Sequence, residues 1–218
     1  ATSYGETEAG GDYYYSYGNG LFIVLNTNNY NVAEHEQAIR EAVASDPNAA
    51  WRIVTIHQDI YGSGLDHSDT DGMILRTQLT PIFDEYDIDV VLQGHDHTYS
   101  RSKILYGDGQ THGAYEFQLN ADGSDYDWDH AYDINASTQI PLSPEDAAGQ
   151  ALLDDFQADN HCYTIETTVG NTVVNPNGTL YMTANSASGS KYYEIKNESF
   201  PYAAVKSQEH TPTYSEVS

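Results

Sequence analysis

Of the nine histidines in this chain, three fall where chain geometry can gather them. His95 and His97 stand two apart in Gly94-His95-Asp96-His97, after the apolar run Val90-Val91-Leu92. In an extended backbone, side chains two apart point to the same side. His57 follows a second apolar run, Ile53-Val54-Thr55-Ile56. Imidazole is the commonest side-chain ligand for zinc, iron and related ions. The pattern therefore predicts a metal site with His57, His95 and His97 as ligands. It lies at the carboxyl edge of a sheet, where open α/β folds bind their ligands. Asp96 should point away, either as a structural residue or supporting a ligand histidine through its other ring nitrogen. His67 lies in an acidic loop with Gly62, Gly64 and Gly72 over the same edge. A loop histidine there suits a general acid that protonates a leaving group. His35, His112, His130, His161 and His210 show no convergent spacing and read as surface residues.

The elements that must position these residues follow from periodicity. Leu21 to Leu25 is continuously apolar, as in a strand buried on both faces. Asn31 starts a helix, with Glu34 in the capping-box position and Ala38, Ile39, Ala42 and Val43 as its buried stripe. Trp51 to Ile56 is the next strand. A second helix runs from about Met73 to Tyr86, with Leu75, Leu79, Ile82, Phe83 and Tyr86 on one face. Pro81 should bend or break it. Asp89 to Gln93 is the third strand. This β-α-β-α-β order implies parallel strands, whose carboxyl ends share one edge. His57 and His95 converge there by topology.

Other segments read less regularly. Tyr13 to Tyr17 has β-propensity. Residues 106 to 175 read as an insertion. It holds an acidic stretch from Asp122 to Asp133, a helix start at Ser143-Pro144-Glu145-Asp146, and a strand pair between Thr164 and Val174. Thr179 to Ala184 is a further strand, and the polar last twenty residues are expected on the surface.

Charge narrows the function classes. With 33 acids against 8 bases the formal charge is −25, which argues against nucleic-acid or anionic-membrane partners. An anionic substrate would need bound cations to reverse the local sign. No apolar run approaches the length of a transmembrane helix, so no membrane insertion is expected. No signal peptide is visible, so a targeting segment would be removed or lie upstream. The lone Cys162 excludes an internal disulfide. Few lysines with 19 tyrosines resemble the composition of secreted bacterial enzymes, which places the chain outside the cell or at its surface.

Gly94-His95-Asp96-His97 after an apolar strand resembles the last motif of the calcineurin-like metallophosphoesterases. Ile53 to His57 resembles their single-histidine motif. Trp51 to Tyr61, Leu92 to Arg101, Gly178-Thr179-Leu180-Tyr181 and Ser186 to Lys191 resemble the bacterial branch similar to purple acid phosphatases. The match covers residues 13–105 and, in patches, 176–195. It implies an α/β fold: the C-terminal half of a four-layer α/β/β/α sandwich, with residues 1–218 forming part of a single catalytic domain.

The resemblance also implies a phosphate-ester substrate and two metal ions, iron, zinc or manganese, in the complete domain. His57 and His95 would bind one ion and His97 the other. His67 would serve as acid or substrate contact. Two cations clamp the phosphate and activate a water for in-line attack.

The family's first half carries Asp-x-His, Gly-Asp-x-x-Asp or -Tyr, and Gly-Asn-His, which supply the bridging aspartate, a second carboxylate and an asparagine ligand. The matched stretches are those of the second half, so no counterpart is expected here. The chain alone would then be inactive and hold one metal ion. An open apolar sheet face would call for the missing N-terminal half or for self-association. The alternative is a non-catalytic metal-binding surface module, using either the three histidines or the acidic 122–133 loop.

Overall fold

The computed structural model describes residues 11–29, 31–65, 70–107, 162–166, 172–189, 191–197 and 199–216. His67, the acidic 122–133 stretch and the helix start at Ser143 lie outside them, as do His112, His130 and His161.

Among the described residues, eight strands form one sheet. In chain order the elements are β1 (Tyr13–Tyr17), β2 (Gly20–Val24), α1 (Val32–Ser45), β3 (Trp51–Thr55), α2 (Thr70–Glu85), β4 (Val90–Gln93), β5 (Tyr99–Tyr106), β6 (Thr164–Ile165), β7 (Thr179–Ala184) and β8 (Ala203–Ser207). The spatial order is β1-β2-β3-β4-β7-β5-β6, and β8 also pairs with β5. β2, β3, β4 and β7 run parallel, whereas β1 and the strands around β5 are antiparallel. The parallel β-α-β-α-β core is as predicted. The described residues make one mixed sheet with two helices, an α/β arrangement.

Register sorts the strand residues into two faces. Val54 pairs with Ile23 on one side and Val91 on the other, and Val91 pairs with Tyr181. Their side chains pack with Ile39 and Ala42 of α1 and with Leu75, Leu79 and Phe83 of α2 in one core. Each of these large apolar side chains stabilises the fold by about 1.5–3 kcal/mol through burial. The opposite face carries Tyr13, Tyr15, Phe22, Val24, Leu92 and Met182, which are half-buried or exposed. Tyr15 stacks on Phe22 at 5.2 Å there.

Several local expectations change. α2 runs unbroken through Pro81. Around it Leu75, Leu79, Ile82 and Phe83 are buried in the core, and that tertiary packing outweighs the one ladder bond proline removes. Glu34 does not close a capping box. Its carboxylate instead takes the side-chain amides of Asn29 and Asn31, both at 3.0 Å. Val173 and Val174 form no strand with Thr164–Ile165. The polar C-terminal stretch, expected on the surface, carries a strand there: Ala203–Ser207 pairs with β5 along Tyr99–Ser102.

Candidate metal edge

The β3–β4 ladder continues past the strand ends. Ile56 N–H donates to the Leu92 carbonyl at 2.9 Å, and Gly94 N–H donates to the His57 carbonyl at 3.0 Å. This carries the chain register into both loops and sets the His57 and His95 rings edge to face, with centroids 4.8 Å apart. The two rings are accessible: His57 is exposed and His95 half-buried. Topology thus brings these two predicted ligands together.

His97 arrives differently. His95 has φ +65°, in the left-handed region, and Asp96 N–H turns back to the Gly94 carbonyl at 2.7 Å. The motif is therefore a tight turn and not the extended backbone that the two-residue spacing suggested. His97 Nδ1 lies 2.9 Å from the Lys191 carbonyl, and its ring packs against Tyr193 with centroids 4.9 Å apart. No group of three or more His, Cys, Asp or Glu placed to hold a metal occurs among the described residues. Asp96 is 1% exposed, and a methyl added at Gly64 would overlap its carboxylate. Its carboxylate is thus packed tightly beneath the turn.

Polar groups brace this edge from behind. His57 N–H donates to Thr27 Oγ1 at 3.2 Å, Thr27 donates to Gln58, and Gln58 Nε2 donates to Asn28 Oδ1 at 3.1 Å. Buried Gln93 ends β4. Its amide donates to Asp59 and, at 3.1 Å, to Thr183 Oγ1, and its oxygen accepts Ile60 N–H at 3.2 Å. These glutamines and Thr27 escaped the sequence reading because a buried amide leaves no periodic signal.

His35, expected on the surface, is 1% exposed. Its Nδ1 lies 2.6 Å from Asp12 Oδ2, and its Nε2 lies 2.7 Å from the Asn29 carbonyl. Carbonyls only accept, so Nε2–H donates to the Asn29 carbonyl, and the Asp12 carboxylate accepts a hydrogen bond from Nδ1–H. Burial alone would lower the His35 pKa, but Asp12, the Asn29 carbonyl and Glu34 together raise it above its ordinary value. The signal was present: residues 35, 38, 39 and 42 lie on one helical stripe. Gly11-Asp12-Tyr13-Tyr14-Tyr15 also has the letters of the Gly-Asp-x-x-Tyr motif. In the structure Asp12 is committed to His35 and to Asn26 N–H, at 2.6 Å. Asp159-Asn160-His161 has the letters of Asp-x-His and lies outside the described residues.

A cavity of about 400 Å³ opens at the opposite edge of the sheet, lined by Asp84, Asp87, Asp89, Tyr106 and Asn177 among others. Its acids would repel a phosphate ester, so size does not make it the phosphate site.

The donor chemistry at the histidine edge fits an imidazole-binding ion. His57 and His95 are adjacent and accessible. The carbonyl at His97 Nδ1 requires a proton there, which leaves the Nε2 lone pair as donor. The three histidines do not come together as one group of three ligands among the described residues, so the set present is incomplete for a two-ion centre.

No family model matches the chain. Two Mycobacterium tuberculosis proteins, each described only as uncharacterized, are 31% identical to it over 81 residues, 36% of this chain and 15% of theirs. The chain thus matches only a small part of the length of those relatives. Among solved structures, a purple acid phosphatase from yellow lupin seeds aligns with TM-score 0.48 at 14% identity, over 90% of this chain and 26% of that one. The GAP50 anchor of the Plasmodium inner membrane complex aligns with TM-score 0.31 at 20% identity, over 42% of this chain and 32% of that one.

Proposed function

We propose that this chain carries the histidine side of a metal centre that hydrolyses phosphate esters. The observation that carries this reading is the His57–His95 contact, built by a ladder that continues past the ends of two parallel strands. The resemblance of the flanking motifs to the metallophosphoesterases supports it. His57 and His95 would hold one ion, and His97, through Nε2, would hold another. Ions bound there would supply Lewis acidity and offset the repulsion between a phosphate and a chain of charge −25.

The chain's own residues do the rest. The Thr27–Gln58–Asn28 chain and Gln93 fix the two loops that present the rings. His67, which lies between β3 and α2 in the sequence, would donate the proton to the leaving alkoxide. The remaining ligands would come from a partner segment covering the apolar sheet face, either the N-terminal half of the same domain or a second copy. The composition fits a place outside the cell.

Zinc titration followed by calorimetry tests the ligand assignment. The 218-residue chain should bind zinc, and His95→Ala should abolish binding. Adding a segment that carries the family's Asp-x-His, Gly-Asp and Gly-Asn-His motifs should then confer metal-dependent hydrolysis of an aryl phosphate. Unchanged zinc affinity in His95→Ala would overturn the assignment. Zinc binding with no turnover in the extended chain would favour the metal-binding module without catalysis.

A further inference from the structure

The C-terminal stretch reaches the histidine edge. β8 is antiparallel to β5 with Ser207 opposite Tyr99, so the next residue, Gln208, comes level with the loop that holds His97. Its side-chain Nε2 donates to the His97 carbonyl at 2.6 Å and to the Tyr193 carbonyl at 2.7 Å, while its Oε1 accepts His210 N–H at 3.1 Å. Two carbonyls on one side and an N–H on the other allow a single orientation of the amide. The two loops so joined are those whose contact orients the His97 ring: Tyr193 packs against it and the Lys191 carbonyl accepts a hydrogen bond from its Nδ1–H.

We propose that Gln208 is a positioning residue that holds His97 as the Nδ1–H tautomer and thereby presents Nε2 to the edge. The physical chain is short. Gln208 fixes the distance between the His97 and Tyr193 backbones. That distance sets whether the Lys191 carbonyl reaches Nδ1. The carbonyl, as a pure acceptor, decides which ring nitrogen keeps its lone pair. Groups that orient a ligand histidine in this way typically contribute 10–100-fold to metal affinity. The significance of a free Nε2 rests on the metal reading above; the tautomer does not.

Long-range ¹H–¹⁵N NMR on the metal-free chain in alkaline buffer reads the tautomer directly. The unsubstituted chain should show His97 as one tautomer, protonated at Nδ1. Gln208→Met, of similar length but without donors, should show both tautomers in exchange. Gln208→Lys, which keeps donors for the two carbonyls, should restore the single tautomer. Zinc affinity should fall about 10–100-fold in Gln208→Met and recover in Gln208→Lys. If Gln208→Met fails to fold, the comparison of Gln208→Lys with the unsubstituted chain decides, since loss of the tautomer despite retained donors overturns the role. A Gln208→Met chain that keeps the single tautomer overturns it too. A single tautomer that depends on Gln208 in a chain that binds no zinc overturns the metal reading and supports the positioning role.

Discussion

His35 and the His57–His95 pair hang from the same short loop and are opposite in character. Asn26 to Asn29 follows β2. Its Asn26 N–H and Asn29 carbonyl complete the Asp12–His35 cluster, while its Thr27 accepts the N–H of His57. His35 is buried, and both its ring nitrogens are engaged within hydrogen-bond distance. His57 is exposed and faces another imidazole across 4.8 Å. A buried imidazole with a carboxylate and a carbonyl is a fastening. Two accessible imidazoles in contact are, on the proposed reading, a donor set. Burial separates the two: His35 is 1% exposed and His57 is exposed.

The sharpest way to break the comparison is to unfasten His35. Asp12→Ala leaves a buried imidazole without its carboxylate and should destabilise the chain by about 3–5 kcal/mol in denaturant unfolding. A loss under about 1 kcal/mol would mean that the pair is not a fastening.

On the other side, His57→Ala should lower zinc affinity more than about 100-fold, beyond what the loss of a merely supporting group costs. Because His57 is exposed, its unfolding free energy should stay within about 0.5 kcal/mol. A variant that loses stability but keeps zinc would invert the two roles.

Gly64→Ala probes the packing beneath the Gly94–His97 turn. A methyl there overlaps the Asp96 carboxylate, and overpacking should cost about 1–3 kcal/mol. Normal stability would show that Asp96 has room to move.

The smallest effect is in pH. The folded-state pKa of His35 is raised, so its contribution is fully present below the unfolded value, about 6.5. It is lost as pH rises through the folded value. Stability should therefore decline over that window, by no more than about 1.4 kcal/mol per pH unit for one proton. Asp12→Ala should lack this slope. A slope of the same size in both chains would remove His35 as its source.

By itself the sequence determined the parallel core. Continuous apolar runs at β2, β3 and β4 and a 3.6-residue stripe on α2 are backbone periodicities, and burial makes them legible. From that core followed the convergence of His57 and His95, because parallel strands share a carboxyl edge. Tertiary structure decided what each polar residue does there. The left-handed turn at His95 sends His97 to the Lys191 carbonyl and not to its neighbour's side. Pairing between β5 and β8, about a hundred residues apart in the chain, delivers Gln208 to that loop. Asp12 and His35, 23 residues apart, become a buried pair through the packing of α1 against β1 and β2. Hydrogen bonds of this kind join residues with no fixed spacing, so no periodicity announces them. They form because a buried polar group must find a partner wherever the fold brings one.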